Sequence, residues 1–332
     1  MFYSTMMMGS LMTISTFSWL TAWAGLEMNL LSILPLMKTE KKTSTETMIK
    51  YFMTQAIASS LLLFSIIIFT NSEAFSSYNK SMTEIFSLIL TSSLLLKMGA
   101  APLHFWLPEV ASGLSWNLLF ILLTWQKLAP MILLINTINN MNFMYTIIIF
   151  SSMIGSLLGL NQICLRKMMA YSSINHMGWM ISALLISYNT WLMYFIVYSI
   201  INYSIITMMN VFNLNNLVQL SNLFNFNKNL KFMFMMNFFS LGGVPPFLGF
   251  LPKWVTINQL INNNLYILTI LLILMSLISL YFYARMSFSS LTFLASECLI
   301  NKPYQNKNFL LILVNSLSLM GLTMFSLIYY LI

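Results

Sequence analysis

Long stretches of this chain carry no charge at all: 1–26, 51–72, 128–165, 168–227, 254–284 and 308–332. A helix needs about 20 residues to cross a hydrocarbon layer, so the longer stretches hold more than one crossing. Polar interruptions divide them at Asn136 to Asn142, at Tyr188-Asn189-Thr190 and at Asn210 to Asn216. The pattern predicts an all-α integral membrane protein of about 11 transmembrane helices, two of them broken. The spans fall at roughly 2–20, 22–37, 49–70, 84–101, 115–137, 143–161, 169–187, 190–210, 231–261 (broken), 264–286 and 308–331. They read as one polytopic domain over 1–332, with halves near 1–140 and 141–290 and a final helix at 308–331.

The positive charges test this division. With these spans, one side of the membrane collects Lys38, Lys41, Lys42, Lys50, Arg166, Lys167, Lys228, Lys231, Arg285, Lys302 and Lys307, while the other keeps only Lys80. Such asymmetry marks the cytoplasmic or matrix side, and losing one span would scramble it. The N-terminus is expected on that positive side and the C-terminus on the opposite one.

Composition sharpens the class. The chain of 332 residues is 59% hydrophobic and 7% charged, against roughly a quarter charged in a soluble domain. No basic face with interleaved aromatics suggests nucleic acid. Cys164 and Cys298 lack the spacing of a metal site or redox pair, and His104 and His176 are too few for a metal cage. No Lys or Arg precedes Lys38, so Ala22-Trp23-Ala24 lacks the basic flank of a secretion signal, and no arginine-rich transit segment leads the chain. Heavy use of methionine and asparagine fits translation inside an AT-rich organelle.

A weak internal repeat is visible. Gly99-Ala-Ala-Pro102-Leu-His-Phe-Trp-Leu107-Pro108-Glu109 aligns with Gly243-Val-Pro-Pro246-Phe-Leu-Gly-Phe-Leu251-Pro252-Lys253. Each copy ends or interrupts a span, and paired glycine/proline-broken helices point to inverted repeats around a site near the midplane. Proline frees backbone groups at such breaks to meet water or polar side chains.

The chemistry lies in the few charges within spans. Glu27 precedes Lys38 by about 16 Å of helix, which places it deep in the membrane. Lys127 sits near the centre of its span, Lys97 beside the Gly99 break, Lys253 inside the second broken helix, and His176 nine residues past Lys167. A charge at such depth costs about 2.5–3.5 kcal/mol. Pairing Glu27 with Lys97, discharging lysines, or admitting water would each lower that cost, and each makes the group a proton carrier. The plainer readings are buried structural ion pairs or snorkelling side chains for Glu27, Lys97, Lys127 and Lys253, and hydrogen-bonded packing for His176. Glu109 reads as a loop or helix-start residue near the surface. Lys97, Lys127, His176 and Lys253 are expected to form one hydrated line parallel to the membrane. The chain has no phosphate-binding glycine loop, GxSxG or HExxH, so NADH, flavin and iron–sulfur sites are not expected in it.

The stretches Leu96 to Val110, Leu122 to Pro130, Met169 to Trp179 and Ser240 to Trp254, with Trp23-Ala-Gly-Leu-Glu27 near the start, resemble the antiporter-like membrane subunits of respiratory complex I. The likeness runs end to end. It implies proton transfer through Glu27, Lys97, Lys127, His176 and Lys253, coupled to NADH oxidation and ubiquinone reduction carried out elsewhere. It also implies no cofactor in this chain, with flavin and iron–sulfur clusters in other subunits. Implied partners are the other membrane-arm subunits, including sister antiporter-like subunits, and lipids such as cardiolipin, in the mitochondrial inner membrane. Bacterial relatives carry further N-terminal helices, and animal members share the shorter form. A separate cation/proton antiporter, or a scaffold whose buried charges only lock helices together, would use similar residues.

Overall fold

The computed structural model describes residues 1–38, 42–74, 80–138, 140–217, 219, 228–291 and 316. The expected final span 308–331, Lys41, Cys298, Lys302 and Lys307 lie outside them. The described residues form thirteen helices and no strand beyond a single backbone bridge between Cys164 and Asn216. Among the described residues six segments are long and apolar enough to cross a membrane: Trp19–Met37, Ser44–Ile68, Trp116–Ile135, Met141–Leu160, Tyr188–Val211 and Tyr266–Phe288. The other expected spans that fall within the described residues correspond to shorter or more polar helices. A helix surrounded by protein need not be apolar all round, because it has no lipid-facing side.

The chain divides into two compact units, Met1–Ser151 and Ser152–Ile332. In the first, α1 (Phe2–Ser15) and α2 (Trp19–Met37) form a tight pair. Glycines permit this close approach: a Cβ on Gly9 would lie 3.0 Å from Asn29 N and Gly25 O. Helix α3 (Lys42–Ala74) extends past both ends of the expected span, so Lys42 and Lys50 belong to a helix rather than a loop. Helix α4 (Lys80–Met98) packs on α3, and the chain turns at Gly99 into the short α5 (Trp106–Gly113), which also lies on α3. Lys50 meets Glu109 at 2.6 Å in the first turn of α5, as its helix-start reading requires. Both side chains are about half exposed, so solvent screening weakens the pair.

The span expected over 115–137 is interrupted. It forms α6 (Trp116–Leu123) and α7 (Trp125–Ile135), which meet at Thr124. The Thr124 hydroxyl donates to Phe120 O at 2.7 Å, and Lys127 N reaches Thr124 O at 3.1 Å in a tightened turn. Pro130 then deprives Gln126 O of its usual donor. Helix α8 (Met141–Leu160) carries the boundary between the units.

The second unit is built on α9 (Leu165–Ile186), which is buried continuously from Ser172 to Leu184. One residue, Ser187, joins it to α10 (Tyr188–Val211) and caps that helix by accepting from Thr190 N at 3.4 Å. A Cβ on Gly155 of α8 would run into the backbone of Asn175, so only glycine permits this approach. Helix α11 (Lys228–Gly242) ends at Gly243, α12 (Phe250–Asn262) follows, and α13 (Tyr266–Leu291) packs on α11. Many buried hydroxyls, such as those of Ser93, Ser151 and Ser204, donate to the carbonyl three residues earlier in their own helix. That satisfies them inside lipid and removes them as site candidates.

Candidate functional site

The two breaks share one backbone solution. Gly99 has φ +73° and Gly243 has φ +78°, conformations that glycine adopts without a steric penalty. At the first, Gly99 N bonds to Leu96 O and Ala100 N to Leu95 O; at the second, Gly243 N bonds to Ser240 O and Val244 N to Phe239 O. Both helices therefore end in the same left-handed glycine cap.

In the first unit Lys97 occupies the last turn of α4 and is 7% exposed. The carbonyls around it are met by neutral donors. Trp106 Nε1 donates to Leu96 O at 3.1 Å, and Gln55 Nε2 approaches Lys97 O at 3.4 Å. Lys97 itself lines a cavity with Asn29, Tyr51, Gln55, Gln126 and Pro130. The cavity measures about 20 Å³, space for about one water molecule. Across it Gln126 Nε2 donates to Asn29 Oδ1 at 3.0 Å. Glu27 on α2 attracts Lys97 electrostatically, and its Oε1 has no hydrogen-bond partner among the described residues. No contact ion pair joins the two.

Lys127 follows the Thr124 interruption and is 1% exposed. Its neighbours pin the first turn of α7: Trp125 Nε1 donates to Ser10 Oγ at 3.0 Å, and Gln126 holds Asn29. With its amine enclosed, Lys127 cannot snorkel to an interface.

In the second unit His176 is buried on α9, and its Nδ1 lies 2.9 Å from the Tyr194 hydroxyl. Tyr198, one turn along α10 from Tyr194, sets its ring 5.2 Å from the imidazole. Lys253 on α12 is 5% exposed and turns inward, donating from Nζ to Gly242 O at 2.8 Å. Trp179, three residues beyond His176 on α9, holds its ring 5.7 Å from Lys253 Nζ. Asn175, beside His176, is buried with neither amide atom partnered among the described residues. Such an orphaned amide is expensive and suits a site that water reaches.

Of the five ionisable groups expected from the sequence, Lys97, Lys127, His176 and Lys253 are buried and Glu27 is partly exposed; sequence reasoning missed what surrounds them: Asn29, Gln55 and Gln126 in one unit, and Trp179 and Tyr194 in the other. The amides could have been flagged as uncharged polar groups inside apolar runs. The aromatics carried no such signal in a chain this rich in them. Among the described residues no cluster of histidine, cysteine and acidic side chains could hold a metal ion.

Comparison with known proteins agrees with this architecture. Residues 16–279 match the family model described as NADH:quinone oxidoreductase/Mrp antiporter, TM. NADH-ubiquinone oxidoreductase chain 2 of Anopheles gambiae is 46% identical across 99% of this chain and 97% of its own length. That of Aedes aegypti is 47% identical with the same coverage. A chain of respiratory complex I from Thermus thermophilus superposes with a TM-score of 0.84 at 21% identity, covering 95% of this chain and 75% of its own. A chain of a Dietzia Mrp complex gives 0.78 at 15% identity, covering 90% and 60%. These last two likenesses concern the fold, an antiporter-like arrangement of membrane helices. With a family model covering most of its length and relatives this similar from end to end, the chain belongs to the NADH-ubiquinone oxidoreductase chain 2 family of NADH:quinone oxidoreductase/Mrp antiporter membrane proteins.

Proposed function

We propose that the chain is a proton-translocating membrane-arm subunit of respiratory complex I, and so part of a proton-translocating NADH:ubiquinone reductase. In this reading it is a multi-pass protein of the mitochondrial inner membrane, its N-terminus toward the matrix and its C-terminus toward the intermembrane space. Electron transfer runs on flavin and iron–sulfur clusters in other subunits, and this chain converts that work into proton movement. Its partners are the neighbouring membrane-arm subunits, sister antiporter-like subunits among them, and lipids such as cardiolipin.

The observation that carries the reading is the burial of Lys97, Lys127 and Lys253 inside apolar helical units. A structural role would favour neutral side chains, since each buried ammonium costs several kcal/mol. A lysine in such a place gains or loses its proton when a nearby charge or water rearranges. Glu27 and Lys97 form one such couple, with the water-sized cavity beside the amine. His176, bonded to Tyr194, and Lys253 supply the corresponding groups of the second unit. The Gly99 and Gly243 breaks are the equivalent points of two inverted repeats near 1–140 and 141–290, and the proton path uses Glu27, Lys97, Lys127, His176 and Lys253.

Replacing Lys127 with Met in the assembled complex tests this. NADH oxidation and proton uptake into reconstituted vesicles should fall together by at least about tenfold, with assembly retained. Normal proton translocation in an assembled K127M complex would reduce the buried charges to helix locks.

A further inference from the structure

The Lys253 ammonium sits in a three-sided enclosure whose walls come from three elements. The floor is the end of α11, where Gly242 O accepts from Nζ at 2.8 Å. That carbonyl belongs to the last turn of a helix, whose unsatisfied oxygens and dipole favour a cation. One wall is Gly243, where a Cβ would stand 2.8 Å from Lys253 Cδ and 3.0 Å from Nζ. The lysine uses the space a side chain would have filled. The other wall is Trp179 of α9, 1% exposed, its ring centroid 5.7 Å from Nζ.

That distance lies within the range over which an aromatic face attracts a cation, and indole is the strongest of the aromatic side chains in this respect. The attraction grows when the pair is out of water, as here. The indole N–H has no hydrogen-bond partner among the described residues. A buried indole usually satisfies that group, so the ring is placed for its face and not its edge. Trp179 also lies three residues beyond His176, and residues so spaced share one side of a helix. One side of α9 therefore serves both His176 and Lys253.

We infer that Trp179 is a positioning residue for Lys253, its indole face holding the ammonium against the Gly242 carbonyl at the Gly243 break. This rests on the proposed proton-carrying role of Lys253. Proton transfer needs the amine at one place when charged and free to leave when discharged. A ring that attracts the ammonium and is indifferent to the neutral amine supplies that difference without introducing a second charge.

The test compares W179F, W179L and W179M in the assembled complex, reading proton translocation per NADH oxidised and the amount of complex on native gels. The phenylalanine variant keeps an aromatic face and should retain at least about half of the proton translocation, whereas each aliphatic variant should lose about fivefold. Equal losses in all three, or no loss in any, would overturn the assignment. Failure of both aliphatic variants to assemble while W179F assembles would assign the ring to packing and overturn it too. K253M separates this inference from the reading beneath it. If K253M pumps normally, the proton-carrying role of Lys253 fails; if K253M is inactive but W179L pumps normally, only the positioning role fails.

Discussion

At Gly99 the chain leaves α4 with its lysine already placed, on the last turn before the break. At Gly243 it leaves α11 with its lysine still to come, on the helix after the break. The backbone caps are the same, so the contrast lies in who satisfies the exposed carbonyls. In the first unit neutral donors do so, Trp106 to Leu96 O and Gln55 toward Lys97 O. Lys97 is left lining a polar cavity within electrostatic reach of Glu27. In the second unit Lys253 itself meets the carbonyl of Gly242 under a tryptophan face. One lysine is thus exposed to a rearrangeable polar environment and the other is clasped. A broken helix offers both arrangements, and the choice depends on which side of the glycine the cation lies.

The largest effects should come from removing the cations. Lys97→Met and Lys253→Met should each lower proton translocation by at least about tenfold in assembled complex, while Lys302→Ala leaves it unchanged. Vesicle acidification driven by NADH measures all three, and similar small effects from each would remove the special weight given to the buried lysines.

Next come the glycines. Gly99→Ala and Gly243→Ala each force a side chain into left-handed backbone, about 1–2 kcal/mol. At Gly99 the added methyl meets Leu107 and Trp106, so the loss should appear as reduced assembly. At Gly243 it meets Lys253, so the loss should appear in proton translocation per assembled complex. Identical behaviour of the two would mean that the clasp on Lys253 has no functional weight.

A smaller effect is expected from Trp106→Phe, which removes the donor to Leu96 O while keeping an aromatic ring in place. About 1 kcal/mol should be lost, visible as a modest drop in the thermal stability of the complex with its pumping ratio intact. A falling pumping ratio would mean that this donor also guards Lys97. Smallest of all is Lys50→Gln: the Lys50–Glu109 pair is exposed and screened, so assembly and turnover should stay at the parental level. A pronounced assembly defect there would show that the pair is enclosed in the complex.

Much was legible before any coordinates. Charge-free stretches of membrane length, interrupted by asparagine or glycine–proline clusters, forced an all-helical membrane chain, because only helices satisfy every backbone group in such runs. The glycines at 99 and 243 marked the breaks, because a left-handed cap needs a residue without a Cβ. Counting residues to the nearest loop placed Lys97, Lys127, His176 and Lys253 away from the span ends, and all four side chains are buried. These inferences concern neighbours along the chain, for which spacing stands in for distance.

What only the tertiary structure decided is the company each charge keeps. The Thr124 interruption came from a hydroxyl bonding back to Phe120 and a tightened turn, neither of which changes the hydropathy of the run. Glu27 and Lys97 interact through space and not as a contact pair, an outcome that spacing along the chain does not determine. Lys253 turned inward rather than toward an interface because the end of the preceding helix and an indole face from the distant α9 meet at that point. Periodicity determines which side of a helix is apolar. It does not determine which helix lies against that side, and a buried cation's behaviour depends on that second choice.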